Sequence, residues 1–171
     1  MTKVLIISAS DSDLPVMQQA GKVLEEFGVE YEITISSAHR SPDRTKEILV
    51  DAQTKGVKVI ICGAGLAAHL AGVVAAQFPL PVIGIPLTGG ELKGLDALLA
   101  TVQMPAGIPV ATVGLGNAKN AGILAVQILA TSDKELEKKI VEYKNKLALG
   151  VERKAMKLDD LGIDKYLADK K

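Results

Sequence analysis

Five short runs rich in β-branched and apolar residues, 3–8, 31–36, 57–62, 82–85 and 110–113, alternate along the chain with segments whose apolar residues recur every three or four positions. The short runs favour extended backbone and the longer period favours helix. Their alternation therefore restricts the chain to βαβ units around a central parallel sheet, an α/β fold. Capping chemistry agrees. The first helix is predicted over 14–27, with Ser12 or Asp13 at its N-cap, Pro15 in its first turn and Gly28 just past its end. Ser41-Pro42-Asp43 opens a second helix that runs to about Lys55 and is closed by Gly56. Residues 67–77 read as a third, built largely of small side chains that let neighbouring backbone come close.

Between 86 and 107 the rhythm breaks into Thr88-Gly89-Gly90, a helical stretch around 95–101 and the turn Met104-Pro105-Ala106-Gly107, a candidate active-site or interface loop. A small-residue helix is expected over 117–130. Residues 133–157 then form a long, charged, amphipathic segment with Leu136, Ile140, Tyr143, Leu147 and Val151 in a stripe, expected to lie on another subunit or across the domain's own face. No repeat, linker or low-complexity stretch interrupts the chain. The expected organisation is a single domain over 1–171, with an α/β core to about 130 and C-terminal helices over about 133–171.

The 171 residues are 48% hydrophobic, enough for a sizeable core. Twenty basic residues balance twenty acidic ones and aromatics are 3%, so neither a basic field nor a stacking platform for a nucleic-acid polymer is present. Cys62 stands alone, which excludes an intrachain disulfide framework, and its place at the end of the third run suits a core residue better than a nucleophile. No apolar run approaches the roughly 20 residues that span a bilayer, and the first eight residues are too short and strand-like for a signal peptide, so a cytoplasmic protein is expected.

The only two histidines are His39, in Ser36-Ser37-Ala38-His39-Arg40, and His69, in Gly63-Ala64-Gly65-Leu66-Ala67-Ala68-His69-Leu70. Each follows a strand-like run and should emerge at the carboxyl end of a strand, where open α/β sheets place their ligand crevices. Imidazole titrates near neutrality, so both suit proton transfer; the plainer alternative is a hydrogen-bonded structural ring. Ser8-Ala9-Ser10-Asp11-Ser12-Asp13 joins the first strand to the first helix. Its hydroxyls and amides would suit a phosphate, although serine and aspartate there are also ordinary caps. Asp13 is better placed to accept from ribose hydroxyls than to face an anion. Arg40 supplies a forked cation. The stretch from Gly63 to Ala68 matches the dinucleotide-binding glycine fingerprint in form only. It follows the third strand, and Ile83 and Gly84 stand where an acidic ribose partner would be needed. A bare-backbone wall for a small flat group beside His69 is the other use of such a loop. Two histidines 30 positions apart, without a cysteine cluster or paired carboxylates, do not have the spacing of a metal site, and no nucleophile elbow occurs.

Taken together, Ser10-Asp11-Ser12-Asp13-Leu14-Pro15-Val16-Met17, Ser37-Ala38-His39-Arg40-Ser41-Pro42-Asp43-Arg44, Gly63-Ala64-Gly65 with Ala67-Ala68-His69-Leu70, Gly94-Leu95-Asp96, Val102-Gln103-Met104-Pro105 and Pro109-Val110-Ala111-Thr112-Val113 resemble the PurE family of de novo purine biosynthesis. The resemblance implies a flavodoxin-like three-layer αβα sandwich, a homo-octamer with sites between subunits, no cofactor, and a substrate with one phosphate, one ribose and an aminoimidazole. By position it implies that Ser10 and Arg40 hold phosphate and Asp13 the ribose. His39 would be the general acid and base, and the loop carrying His69 would enclose the imidazole and the carboxylate in transit. Ser12, Ser37, Ala38, Gly63, Gly65, Ala67, Ala68 and Leu70 complete the implied substrate contacts. The implied reaction moves a carboxyl group from N5 to C4 of the aminoimidazole ribonucleotide. A second branch of the family carboxylates aminoimidazole ribonucleotide directly with carbon dioxide. That branch tends to carry lysine in place of Arg40 and a differently built loop in place of 63–69. A non-catalytic nucleotide-binding module is the reading from another class. The chain departs from the family pattern at Ala9 and Leu66, where glycine is usual, and at Ala71, where proline is usual.

Overall fold

The computed structural model describes residues 2–169, which form two compact units, one ending at Leu129 and one beginning at Ala130. The first unit carries strands β1 (Val4–Ser8), β2 (Tyr31–Ile35), β3 (Val59–Gly65), β4 (Val82–Leu87) and β5 (Ala111–Thr112). Between them run helices α1 (Leu14–Phe27), α2 (Pro42–Thr54), α3 (Leu70–Gln77) and α4 (Leu95–Val102), and α5 (Ala118–Ala130) follows β5. The strands make one parallel sheet in the order β2-β1-β3-β4-β5. This is the flavodoxin-like order, and its direction reverses between β1 and β3.

Burial follows position in the sheet. β1 and β4 are buried throughout and β3 almost so, whereas β2 lies at an edge and leaves Ile33 and Ile35 exposed. Alternate side chains serve the two faces. Leu5, Ile7, Ile60 and Cys62 pack with Leu49 and Ala52 of α2 and Leu70, Ala71 and Val74 of α3. Val4, Ile6, Val59 and Ile61, of opposite parity, are buried as well. On α1, Met17, Ala20 and Leu24 are wholly buried, and Gly122 of α5 lies close against Ala20 and Val23.

Predicted and observed elements differ where glycine and alanine cluster. β3 continues to Gly65 because Gly63, Ala64 and Gly65 pair with Ile85, Pro86 and Leu87. A side chain on Gly63 would collide with Met17, so this glycine belongs to the packing of strand on helix rather than to a turn. The third helix starts at Leu70 and not at 67, since Leu66 takes a positive φ of 54° that turns the chain out of the strand. Asp13 sits at the α1 N-cap position without a side-chain cap bond and is the last residue of a 3-10 turn, Asp11–Asp13, that leads into the helix; Ser10 accepts from the Ser12 amide.

In the second unit, α6 (Lys134–Ala168) extends well beyond the predicted 157, broken in conformation at Gly162. The Asp133 carboxylate caps it, accepting from the Glu135 and Leu136 amides. Leu136 and Ile140 are buried, whereas Leu147 and Val151 stand exposed. Among the described residues no helix is long and apolar enough to cross a membrane.

Candidate active site

The carboxyl ends of β1 to β4 lie together, and the loops that follow them surround a cleft of about 580 Å³. Such a cleft is expected where connections diverge to opposite sides of a parallel sheet.

The loop after β1 is held by short bonds. Ser8 Oγ donates to the Ser10 carbonyl at 2.7 Å, and the Ser10 and Ser12 hydroxyls share a bond of 2.8 Å. Asp13 reaches the cleft from the end of this turn. Its partial burial, reinforced by the neighbouring Asp11 charge, raises its carboxyl pKa above the ordinary value.

After β2 the chain is pinned from below by Ser36, whose amide donates to the Ser8 carbonyl and whose hydroxyl shares a buried bond of 2.8 Å with Thr45 of α2. Ser37 and Ser41 then close the turn on each other. The Ser37 amide donates to Ser41 Oγ, Ser41 Oγ donates to the Ser37 carbonyl, and the Arg40 amide donates to Ser37 Oγ. This lattice presents His39 and Arg40 to the cleft while both remain exposed. Arg40 also lines a second depression of about 460 Å³ with Ser10, Ser37 and Arg44. Arg44 itself donates to the Ile35 carbonyl at 3.1 Å.

The loop after β3 brings Gly65, Leu66, Ala67, His69 and Leu70 to the same cleft. His69 occupies the N-cap position of α3 without a side-chain cap bond, which leaves its ring free to face the neighbouring loop. The two imidazoles, 30 positions apart in the chain, stack with ring centroids 4.8 Å apart and 27° between their planes.

Of the residues singled out from sequence, Ser10, Ser12, Asp13, Ser37, Ala38, His39, Arg40, Gly65, Ala67, His69 and Leu70 line this one cleft. Gly63 and Ala68 do not. Gly63 is inside β3 opposite Ser8, and Ala68 is 3% exposed in the core, so both support the wall from behind. Ala9, Ala64 and Leu66 line the cleft as well, and so do Thr88, Gly89 and Gly90 of the loop after β4, none of them among the site residues expected from sequence. The Thr88-Gly89-Gly90 triplet directly after a strand was the available signal. Cys62 is 1% exposed, and burial pushes its thiol far above the usual range, so it is an inert core residue.

Residues 3–149 match the family described as AIR carboxylase. A protein of Thermotoga maritima named N5-carboxyaminoimidazole ribonucleotide mutase is 54% identical over 170 residues, covering 99% of both chains. A Candida glabrata protein named phosphoribosylaminoimidazole carboxylase is 52% identical over 96% of this chain, but only 29% of that protein is covered. Among solved structures, Treponema denticola PurE superposes with a TM-score of 0.85 at 29% identity, covering 91% of this chain and 97% of the other.

Proposed function

Because the chain belongs to the AIR carboxylase family, we propose that it is a mutase that converts N5-carboxyaminoimidazole ribonucleotide into 4-carboxy-5-aminoimidazole ribonucleotide. The observation that carries this reading is the stacked pair of His39 and His69 inside a cleft that also holds Ser10, Asp13 and Arg40. An anion site, a diol acceptor and a proton carrier within one small cleft fit a phosphorylated riboside whose base undergoes acid–base chemistry.

In the reaction the N5–carboxyl bond breaks and its electron pair returns to N5, which takes a proton from the His39 imidazolium as carbon dioxide is freed. C4 then attacks the carbon dioxide, and the C4 proton passes to the now neutral His39. Atoms, charge and electrons balance with no redox partner. One imidazole serves both steps because it gives and then recovers the same proton. Ser10 and Arg40 hold the phosphate, the guanidinium by a bidentate fork, with Arg44 adding positive charge beside it. Asp13 accepts from the ribose hydroxyls. Ser12, Ser37 and Ala38 border the phosphate and sugar, and Gly65, Ala67 and Leu70 flank His69 around the base. A homo-octamer in the cytoplasm is the expected assembly and setting.

A second reading, direct carboxylation of aminoimidazole ribonucleotide, is favoured by the fungal relatives named carboxylases, though these match over less than a third of their length. Relatives matched nearly end to end carry the mutase name. Labelled bicarbonate separates the two. A mutase consumes unlabelled N5-carboxyamino substrate in a single turnover and yields product with little label. Heavy labelling, or efficient use of aminoimidazole ribonucleotide at low bicarbonate, identifies the carboxylase.

A further inference from the structure

Leu66 combines an unfavourable backbone with an exposed apolar side chain in the loop that carries His69 to the cleft. Its φ of 54° lies in the left-handed region, where a Cβ crowds the following carbonyl and which glycine, and less readily asparagine, adopt. Of the two large apolar side chains among the lining residues, Leu70 is 2% exposed whereas Leu66 is 55% exposed. Gly65 and Leu87 form the last paired rung of β3 and β4, so beyond it the loops after these strands part. The Leu66 side chain reaches across that parting. A Cβ on Gly90 would stand 2.7 Å from Leu66 Cδ2, and one on Gly89 would stand 4.0 Å from it. Gly90, itself at a φ of 60°, therefore provides the bare backbone on which this side chain rests.

We propose that Leu66 is a retention residue: its side chain, laid from the β3 loop onto Gly89 and Gly90, walls the cleft beside His69 and keeps freed carbon dioxide next to C4. The proposal rests on the mutase reading above. Carbon dioxide offers a protein little to grip, so its recapture depends on confinement and on exclusion of water rather than on hydrogen bonds. An apolar wall spanning two loops supplies both. Strain held at a ligand cleft is kept for what the side chain does there.

The test measures partition rather than rate. Enzyme in excess is mixed with unlabelled N5-carboxyamino substrate in 13C-bicarbonate. Released aminoimidazole ribonucleotide per carboxylated product, and label in that product, are read after a rapid quench, with spontaneous loss subtracted from an enzyme-free control. Leu66→Gly removes the wall at a φ that glycine accepts. Leu66→Asn keeps comparable size in a residue tolerant of that φ but binds water, and Leu66→Met restores apolar bulk. In Leu66→Gly and Leu66→Asn the ratio of escape to recapture should rise on the order of tenfold, with label entering the product, and Leu66→Met should return it toward the parent value. An unchanged ratio in Leu66→Asn, or leakage from Leu66→Met equal to that from Leu66→Gly, overturns the proposal. If the product of the parent enzyme is itself heavily labelled, the mutase reading falls and the retention role falls with it. Normal parent conversion with unaltered variants removes only the role of Leu66.

Discussion

At the scale of single residues, the decisive fact is that two imidazoles which nothing in the linear chain relates are stacked at 4.8 Å. If His39 carries the proton, His39→Asn should lower turnover by about 10²–10⁴-fold while affinity for a product-like ribonucleotide stays within about tenfold, because the amide keeps polarity and size but cannot shuttle a proton. Stopped-flow assay together with calorimetric titration checks both halves; near-normal turnover would return the protein to the class of nucleotide-binding modules. Asp13 permits a prediction about pH. Its folded-state pKa is raised, so the ionised form is less at home in the folded than in the unfolded chain. Above the raised value the charge costs stability. As pH falls through that value the cost is relieved, and below the ordinary carboxylate range it is gone. Asp13→Asn should therefore raise the melting temperature at neutral pH, with the gain vanishing by about pH 3. The same variant should bind the ribonucleotide more weakly, a trade of function for stability that is common in ligand sites.

At the scale of elements, helix limits were mostly legible because they rest on local chemistry. Pro15 and Gly28 bracket α1 as predicted, and Gly28 takes the left-handed conformation, with a φ of 73°. The third helix is shorter than its pattern predicts and the third strand runs further, because glycine and alanine carry no periodic signal: their part in β3 is set by pairing with β4 and by the approach of Met17. Gly63→Ala is the direct test. The added Cβ meets the Sδ and Cε end of the wholly buried Met17 side chain and comes within 3.3 Å of Leu87 Cδ1, so the substitution should destabilise the protein by about 1–3 kcal/mol in denaturant titration. A cost near zero would mean that Met17 moves aside and that Gly63 has no packing role.

At the scale of the whole molecule, the α/β unit leaves Leu95, Leu99 and Val102 exposed along one stripe of α4, and the helical unit leaves Leu147 and Val151 exposed on α6. Exposed apolar stripes of this kind suit burial between subunits. Light scattering is expected to report an assembly close to eight times the 18.0 kDa of one chain, in keeping with the octamer that family resemblance implies. A monodisperse, fully active monomer would defeat that expectation.

The α/β class, the order of strand and helix, the limits of α1 and α2, and the loops expected to carry the chemistry can all be read from the linear chain, because each depends on residues a few positions apart: β-branched runs, caps and turn formers. Which of those loops meet is set by the sheet. The order β2-β1-β3-β4-β5 places the ends of the first four strands side by side, and this alone brings His39 against His69 and Ser10 near Arg40. It also turned Gly63 and Ala68 from candidate contacts into support for the wall, and Leu66 from a departure at one position into a bridge between two loops. Such contacts join residues tens of positions apart, and local propensity carries no record of them until the sheet closes the distance.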